Sequence, residues 1–429
     1  MRARKAPPET AARREADVAA TEADQRRPRT PRRRYSELPW IAAGVGALAA
    51  RQVQGQSTAD MQFLFYKESG GRTQVLDPVV LVRQDLGENY GHLGLLLGYD
   101  SISGASPTGA YPSADVTTSA SGHTTSAGKF PQSPYKDARK SASLSWDRRF
   151  GAHLPSIDVS YAKENDYVAR GFGLSDSWTV FHGLGTIHYG VAISRDLVEP
   201  VKNPTTNPDG LPLSFAKSEN GYSLGYTQVL GERDLLDVSF SWMQLWGYLN
   251  DPYKVVTIGD PRNNATAPEQ RPDSRSRRAV FLKYGHHYLW DGAIRITYRY
   301  YNDTWGVQAH TIELAYDQRL DANWMVTPQV RFYTQSAASF YVNVAPQPLP
   351  LMSADYRLSP FDSILGGLMV AYKIAPSLSI NAGFTAQSQR GRDRVIPVST
   401  TPGGPRVGSS VSSADLNVLT IQVGLTKTY

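Results

Sequence analysis

The segment Leu416–Tyr429 reads L-N-V-L-T-I-Q-V-G-L-T-K-T-Y. Leu419, Ile421, Val423 and Leu425 fall on one face of an extended chain. Thr420, Gln422, Gly424 and Thr426 fall on the other. Side chains alternate along a strand with a period of two, so the segment has an apolar face and a small polar face. Such a strand must put its apolar face against something non-aqueous. It cannot stand alone, because its backbone donors and acceptors need neighbouring strands.

The same grammar recurs from Ala59 onward: an alternating stretch, a turn, another alternating stretch, a loop. Met61, Phe63 and Phe65 share a face, and Leu93, Leu95, Leu97 and Tyr99 share another opposite Gly94 and Gly98. Ala142, Leu144 and Trp146 alternate with serines, and Ile187, Tyr189, Val191 and Ile193 alternate with His188, Gly190 and Ala192. Asp291-Gly292 is a hairpin signal between Arg278–Trp290 and Ala293–Asn302. Tyr167–Val180 is read as a strand because its neighbours require one. In all, about 16 strands are predicted, an even number. Connections are predicted to alternate strictly between short and long, with long polar loops at Ser103–Ala138, Val198–Lys217, Tyr248–Ser276 and Arg390–Ala414.

Composition decides what the apolar faces meet. No apolar run reaches the roughly 18 residues of a spanning helix, and mean hydropathy is −0.38. A barrel escapes that test because only alternate residues face lipid. Aromatics near strand ends (Tyr66, Tyr99, Trp146, Tyr161, Trp178, Tyr226, Trp242, Trp290, Trp305, Trp324 and Tyr372) suit interfacial girdles. The fold expected is all-β: a transmembrane antiparallel up-and-down barrel with periplasmic termini. A secreted soluble β-protein is the bland alternative. The chain has no cysteine, which suits passage through an oxidising periplasm.

The net charge of +6 misleads. Residues 1–34 hold 11 Lys+Arg and 5 Asp+Glu, a difference equal to the whole excess. The remainder is neutral, so the sequence argues against a nucleic-acid partner. The Arg-rich segment reads as a disordered leader. The short apolar stretch Leu38–Ala50 then reads as a signal-peptide core, with cleavage after Val53-Gln54-Gly55 or, alternatively, at Ala47-Leu48-Ala49. The division expected is 1–55 as leader plus signal peptide and 56–429 as barrel, placed in the bacterial outer membrane. Its partners there are outer-membrane lipid, the barrel-assembly machinery through the terminal Tyr429, and an envelope protein or further copies of the chain.

Two octapeptides carry a resemblance. Asp100-Ser-Ile-Ser-Gly-Ala-Ser-Pro107 is placed just past the third strand, and Gly247-Tyr-Leu-Asn-Asp-Pro-Tyr-Lys254 ends the ninth. With Phe65-Tyr-Lys-Glu68 they resemble a family of bacterial outer-membrane proteins classed as a domain of unknown function. The closing alternation on a terminal aromatic is likewise similar to the last strand of outer-membrane barrels. The resemblance implies a barrel and its location, and supplies no substrate or catalytic residue.

No catalytic or cofactor motif stands out, so the chain reads as a non-enzyme without a cofactor or metal site. Gly122–Lys129 looks like a phosphate loop but has the wrong spacing and Phe130 where a hydroxyl is needed. His286 and His287 point to opposite faces and cannot chelate together. Inward faces are expected to carry Asp158, Asp237, Lys283, Arg295, Arg299, Glu313, Asp317 and Arg331. The bland reading is an ion-paired hydrated wall; the sharper one is opposed basic and acidic ladders across a pore. In the octapeptides, Asp100, Ser101, Ser103, Gly104, Ser106, Pro107, Asn250, Asp251, Pro252, Tyr253 and Lys254 have the chemistry of structured extracellular loops. Alternatively, both loops converge on a site with Asp100, Asp251, Tyr253 and Lys254 as its polar members. A channel or solute-export pore is the function expected first. A non-transporting scaffold or receptor comes second, and an outer-membrane hydrolase third.

Overall fold

The computed structural model describes residues 56–118, 124–200, 213–404 and 408–429. The leader and signal peptide read from residues 1–55 lie outside them, as do Gly122 and His123.

Sixteen antiparallel strands close into one barrel. In chain order they are β1 (Thr58–Glu68), β2 (Gln74–Asp85), β3 (His92–Pro107), β4 (Gln132–Asp147), β5 (His153–Lys163), β6 (Tyr167–Val180), β7 (Gly185–Val198) and β8 (Phe215–Val229). The second half continues with β9 (Asp234–Gly247), β10 (Ser274–His287), β11 (Gly292–Asp303), β12 (Gln308–Arg319), β13 (Trp324–Gln335), β14 (Phe361–Ala375), β15 (Leu378–Gly391) and β16 (Leu416–Thr428). Each strand pairs with its sequence neighbours. β16 closes on β1 from Thr58↔Thr428 to Glu68↔Val418. Closure matters because an open edge in hydrocarbon would leave backbone groups unsatisfied at several kcal/mol each.

The faces sort as alternation requires. Phe63, Leu95, Leu97, Val159, Leu224, Phe240, Ile312, Leu368 and Val423 are all exposed on the outer wall. An exposed apolar belt on every strand of a closed cylinder is a lipid-facing surface. Aromatics cluster at its edges. Around the rim that holds the chain ends, Trp324 packs on Tyr372 at 4.5 Å and Trp178 stacks on His153 at 5.4 Å. There too Trp290 donates to the Tyr316 hydroxyl at 2.7 Å. Toward the opposite rim, Tyr222 lies 5.3 Å from Trp242. Two residues assigned to girdles from sequence belong elsewhere. Trp305 is buried among loop residues. Tyr66 turns inward and bonds Glu68. Lys427, on the apolar face, reaches Ser377 Oγ at 2.9 Å at the terminus rim.

The chain enters and leaves at one rim, where Ser57 and Tyr429 exchange backbone bonds of 3.2 and 2.9 Å. Connections at this rim are all short, such as 230–233 and 376–377. The far rim departs from strict alternation. Long connections at 108–131, 199–214, 248–273, 336–360 and 392–415 are interrupted by short ones at 69–73, 164–166 and 304–307.

The loop expected at Ser103–Ala138 is strand at both its ends. β3 runs on to Pro107 and pairs in register with β4 back to Gln132. The first octapeptide therefore lies inside β3 rather than past it. Its small polar side chains obscure this because the extension stands above the apolar belt, where no face need be hydrophobic. The alternating stretch from Trp324, which reads in sequence as a strand to Phe340, ends as β13 at Gln335, and Phe340 joins Trp305 in a buried cluster.

Candidate functional site: a capped lumen

Long far-rim loops fold over the barrel mouth as a cap. Val255–Thr257 pairs antiparallel with Thr266–Pro268, and Thr257–Ile258 pairs parallel with Val344–Ala345. Gln270 and Met352 exchange 2.8 Å backbone bonds. This knits the loop after β9 to the loop after β13, around a core of Val256, Ala345, Met352 and Ala354. The loop after β3 joins them: Val255 N–H donates to the Thr108 carbonyl at 2.9 Å, and Tyr111 N–H to Thr257 Oγ1 at 2.8 Å. The loop after β15 joins through Asp115, which accepts from Ser399 and Thr400.

At the centre of the cap is a buried ionic hub of three cations and three anions. Asp355 is fully buried and lies 3.8 Å from Lys254 and 2.8 Å from Arg271, and it is bonded by Arg357. Arg271 also pairs with Glu269 at 2.7 Å, and Arg357 with Asp251 at 3.1 Å. Ser353 donates to Glu269 at 2.7 Å. Burial alone would raise the Asp355 pKa, but Arg357, Lys254 and Arg271 hold it well below the usual carboxylate range. A hub of balanced charge is the one way five buried ionisable groups and the half-buried Arg357 avoid a large solvation cost.

The hub ties the cap to the wall on several sides. Lys254 Nζ donates to the Pro107 carbonyl and lies 3.4 Å from Ser106 Oγ, so the two octapeptides meet in space. Tyr253 donates to Asp166, in the β5–β6 turn, at 2.9 Å. Tyr356 packs on Leu416 and Val418 of β16, with the Arg72 guanidinium 5.2 Å from its ring. Gln335, at the end of β13, donates to the Ser359 carbonyl at 2.7 Å. Gly104 sits at φ +124°, with its Cβ position 2.1 Å from the Arg72 carbonyl, so only glycine lets the β1–β2 turn approach so closely.

Of the residues singled out in the octapeptides, Ser106, Pro107, Asn250, Asp251, Tyr253 and Lys254 join this assembly. Asn250 accepts from Arg271 N–H at 2.7 Å. Asp100 lies beside Asp77 on β2, away from the hub. Ser101 and Ser103 pair with Ala138 and Lys136 in the β3–β4 ladder. Pro252 sits between Asp251 and Tyr253 in the turn that carries them. The sequence search missed Glu269, Arg271, Asp355 and Arg357.

Next to the cap, Asp137, Glu164 and Asp166 bring carboxylate oxygens within 4.8 Å of one another. They are the residues that could share a cation, and in this structure Asn165, Arg139 and Tyr253 contact them. Burial pushes Glu164 up to about 8, with Arg139 opposing and Asp137 and Asp166 adding to the rise.

The barrel interior below the cap carries the eight charges named from sequence, all on the polar faces of β5, β9, β10, β11, β12 and β13. Arg295 pairs with Asp317 at 2.7 Å and Arg331 with Glu313 at 2.5 Å. Asp237 stands opposite Lys283 in register and accepts from Thr227. Arg299 lies 5.3 and 5.2 Å from the Phe281 and Tyr301 rings. Asp158 fills the space beside Gly173. Three pairs run between adjacent strands, so six of the eight charges balance locally along the β9–β13 wall. His286 is on the outer face, bonded to Asp234, and His287 is on the inner one.

A family described as "Protein of unknown function (DUF3570)" matches residues 42–397. The chain belongs to that family. No curated protein matches it. Among solved structures, a "Bacterial polysaccharide outer membrane secretin" aligns over 88% of this chain and 100% of its own at 10% identity, with a TM-score of 0.47. OccD3 (OpdP) of Pseudomonas aeruginosa aligns over 88% and 92% at 10% identity and 0.42. The siderophore receptor PirA of the same organism aligns over 87% of this chain and 62% of its own, at 10% and 0.40. A closed, even-stranded barrel with an apolar exterior and aromatic edges is a bacterial outer-membrane protein in contact with lipid.

Proposed function

We propose that this protein is a solute channel whose outer mouth carries a folded cap. The observation that carries the reading is the exposure of long charged side chains on the inner wall. Arg295 and Arg331 are 50% and 46% exposed although they point into the barrel. An interior packed with side chains would bury them; a hydrated lumen leaves them wet. Small inward residues such as Gly94, Gly98, Gly190, Ala192 and Ser241 widen that lumen. The locally paired charges favour polar solutes without strong sign selection.

In this reading the termini and short turns face the periplasm, and the capped rim faces outward. Residues 1–55 act as the leader and export signal, and residues 56–429 as the barrel. The last strand, ending at Tyr429, is the segment offered to the assembly machinery. A receptor or scaffold role is the second reading, favoured by one observation: the cap is a folded unit with its own ionic hub and apolar core, and so presents a fixed outer surface. Planar-bilayer conductance of the purified protein separates the two. A channel gives discrete steps that enlarge when the cap is removed; a scaffold gives none in either form.

A further inference from the structure

The outer wall has a fault in its apolar belt. On β14–β16 the row just below the far edge reads Gly366↔Ala386↔Leu419, continuing to Lys67 on β1. The small side chains leave a hollow of about 580 Å³. A second hollow of about 350 Å³, over Phe332 and Ile312, adjoins it and shares Ile364 and Ser388. A Cβ added at Gly366 would meet nothing within 4 Å, so the space lies open toward the membrane.

The upper edge of this groove is cationic. Lys67 lines the first hollow and Arg390 the second. Neither makes an ion pair among the described residues: Glu68, which also lines the first hollow, bonds Tyr66, and Asp362, across the ladder from Arg390 in the second, pairs with Arg392, while Arg390 bonds the neighbouring Gln389 carbonyl. Arg392, close by, is already neutralised by Asp362 at 2.6 Å. An apolar groove for chains beneath two cations that make no ion pair of their own is complementary to an acylated lipid with anionic groups on its head. Two separated cations suit two phosphates.

We infer that this groove binds a phosphorylated, multiply acylated glycolipid of the outer leaflet, with acyl chains over Gly366 and Ala386 and phosphates against Lys67 and Arg390. The leaflet follows from the proposed orientation, with the capped rim outward; the binding itself does not depend on transport.

The test is native mass spectrometry of the full chain in detergent, titrated with diphosphoryl lipid A and, separately, with phosphatidylglycerol. The parent is expected to retain one lipid A. Lys67→Glu with Arg390→Glu should weaken that by at least about tenfold. Gly366→Leu, which fills open space without touching the fold, should weaken it comparably. Both variants should keep the heat-modifiable mobility of a closed barrel. Unchanged lipid A binding in both variants overturns the site. Equal retention of phosphatidylglycerol overturns the choice of glycolipid. A change in oligomeric state with Gly366→Leu, without loss of lipid, assigns the face to a second copy of the chain instead.

Discussion

Replacing Arg357 by alanine should unlatch the cap while leaving the barrel closed. Arg357 bridges Asp251 at 3.1 Å and Asp355, whose side chains are 7% and 0% exposed. Its loss strips Asp251 of its cation, leaving that carboxylate an N–H bond from Tyr253. Asp355 keeps Arg271 and Lys254. Breaking a buried pair costs about 3–5 kcal/mol. With one of the two acids still compensated, the lower end applies, about 3 kcal/mol. At about 1.4 kcal/mol per decade, the closed-to-open ratio of the cap falls roughly a hundredfold. None of the barrel ladder passes through Arg357, so heat-modifiable gel mobility should be retained. The assay pairs single-channel recording with limited proteolysis of the loops. Conducting events should become far more frequent, and cleavage should appear within 248–273 and 336–360. Arg357→Lys, which keeps charge but loses the planar fork, should lie between. Parent-like conductance together with parent-like protease resistance in Arg357→Ala would refute the hub as the latch.

The chain has no cysteine, so a single Thr297→Cys on the inner face should react with a water-soluble thiol reagent in proteoliposomes, while Ile296→Cys on the lipid face should not; equal reactivity would mean the faces are misassigned. Glu164, raised by burial to about 8 in the fold from an ordinary value of 4.5, binds a proton that the unfolded chain has released between those values. Stability should therefore fall as pH rises from about 4.5 to about 8 and level off above, by up to ~1.4 kcal/mol per unit; Glu164→Gln should flatten thermal melts over that range, and a parent without the slope would remove the cause. Gly104→Ala forces a Cβ against the Arg72 carbonyl at φ +124°, and should cost about 1–3 kcal/mol, read as a lower melting temperature with early exposure of the β1–β2 turn to hydrogen exchange.

The barrel was legible because lipid imposes a period of two on every strand. Leu93 to Tyr99 and Leu419 to Leu425 announce their outer faces residue by residue. Above the membrane that constraint ends, and legibility ends with it. Ser103–Pro107 continues β3 with nothing apolar to mark it. The segment 248–273 reads as a charged solvated loop because Lys254, Glu269 and Arg271 are charged. They are buried only because Asp355 and Arg357, about a hundred residues away, complete a neutral set. Pairing at that separation leaves no local period. The one local trace was turn chemistry: Asp251 and Asp355 each cap the backbone two residues on. Likewise Trp305 looked like a girdle residue because it ends a strand. Its side chain is buried with Phe340 under the cap, and the indole N–H donates to the Ser274 carbonyl at 2.8 Å.

The most direct measurement is the planar-bilayer conductance of the full chain beside a variant in which 250–271 and 340–358 are replaced by short Gly-Ser links. A capped channel should give rare or small steps in the parent and large, sustained steps once the links are in place. A folded, heat-modifiable barrel that stays silent in both forms at every voltage would contradict a hydrated lumen and leave the receptor or scaffold reading.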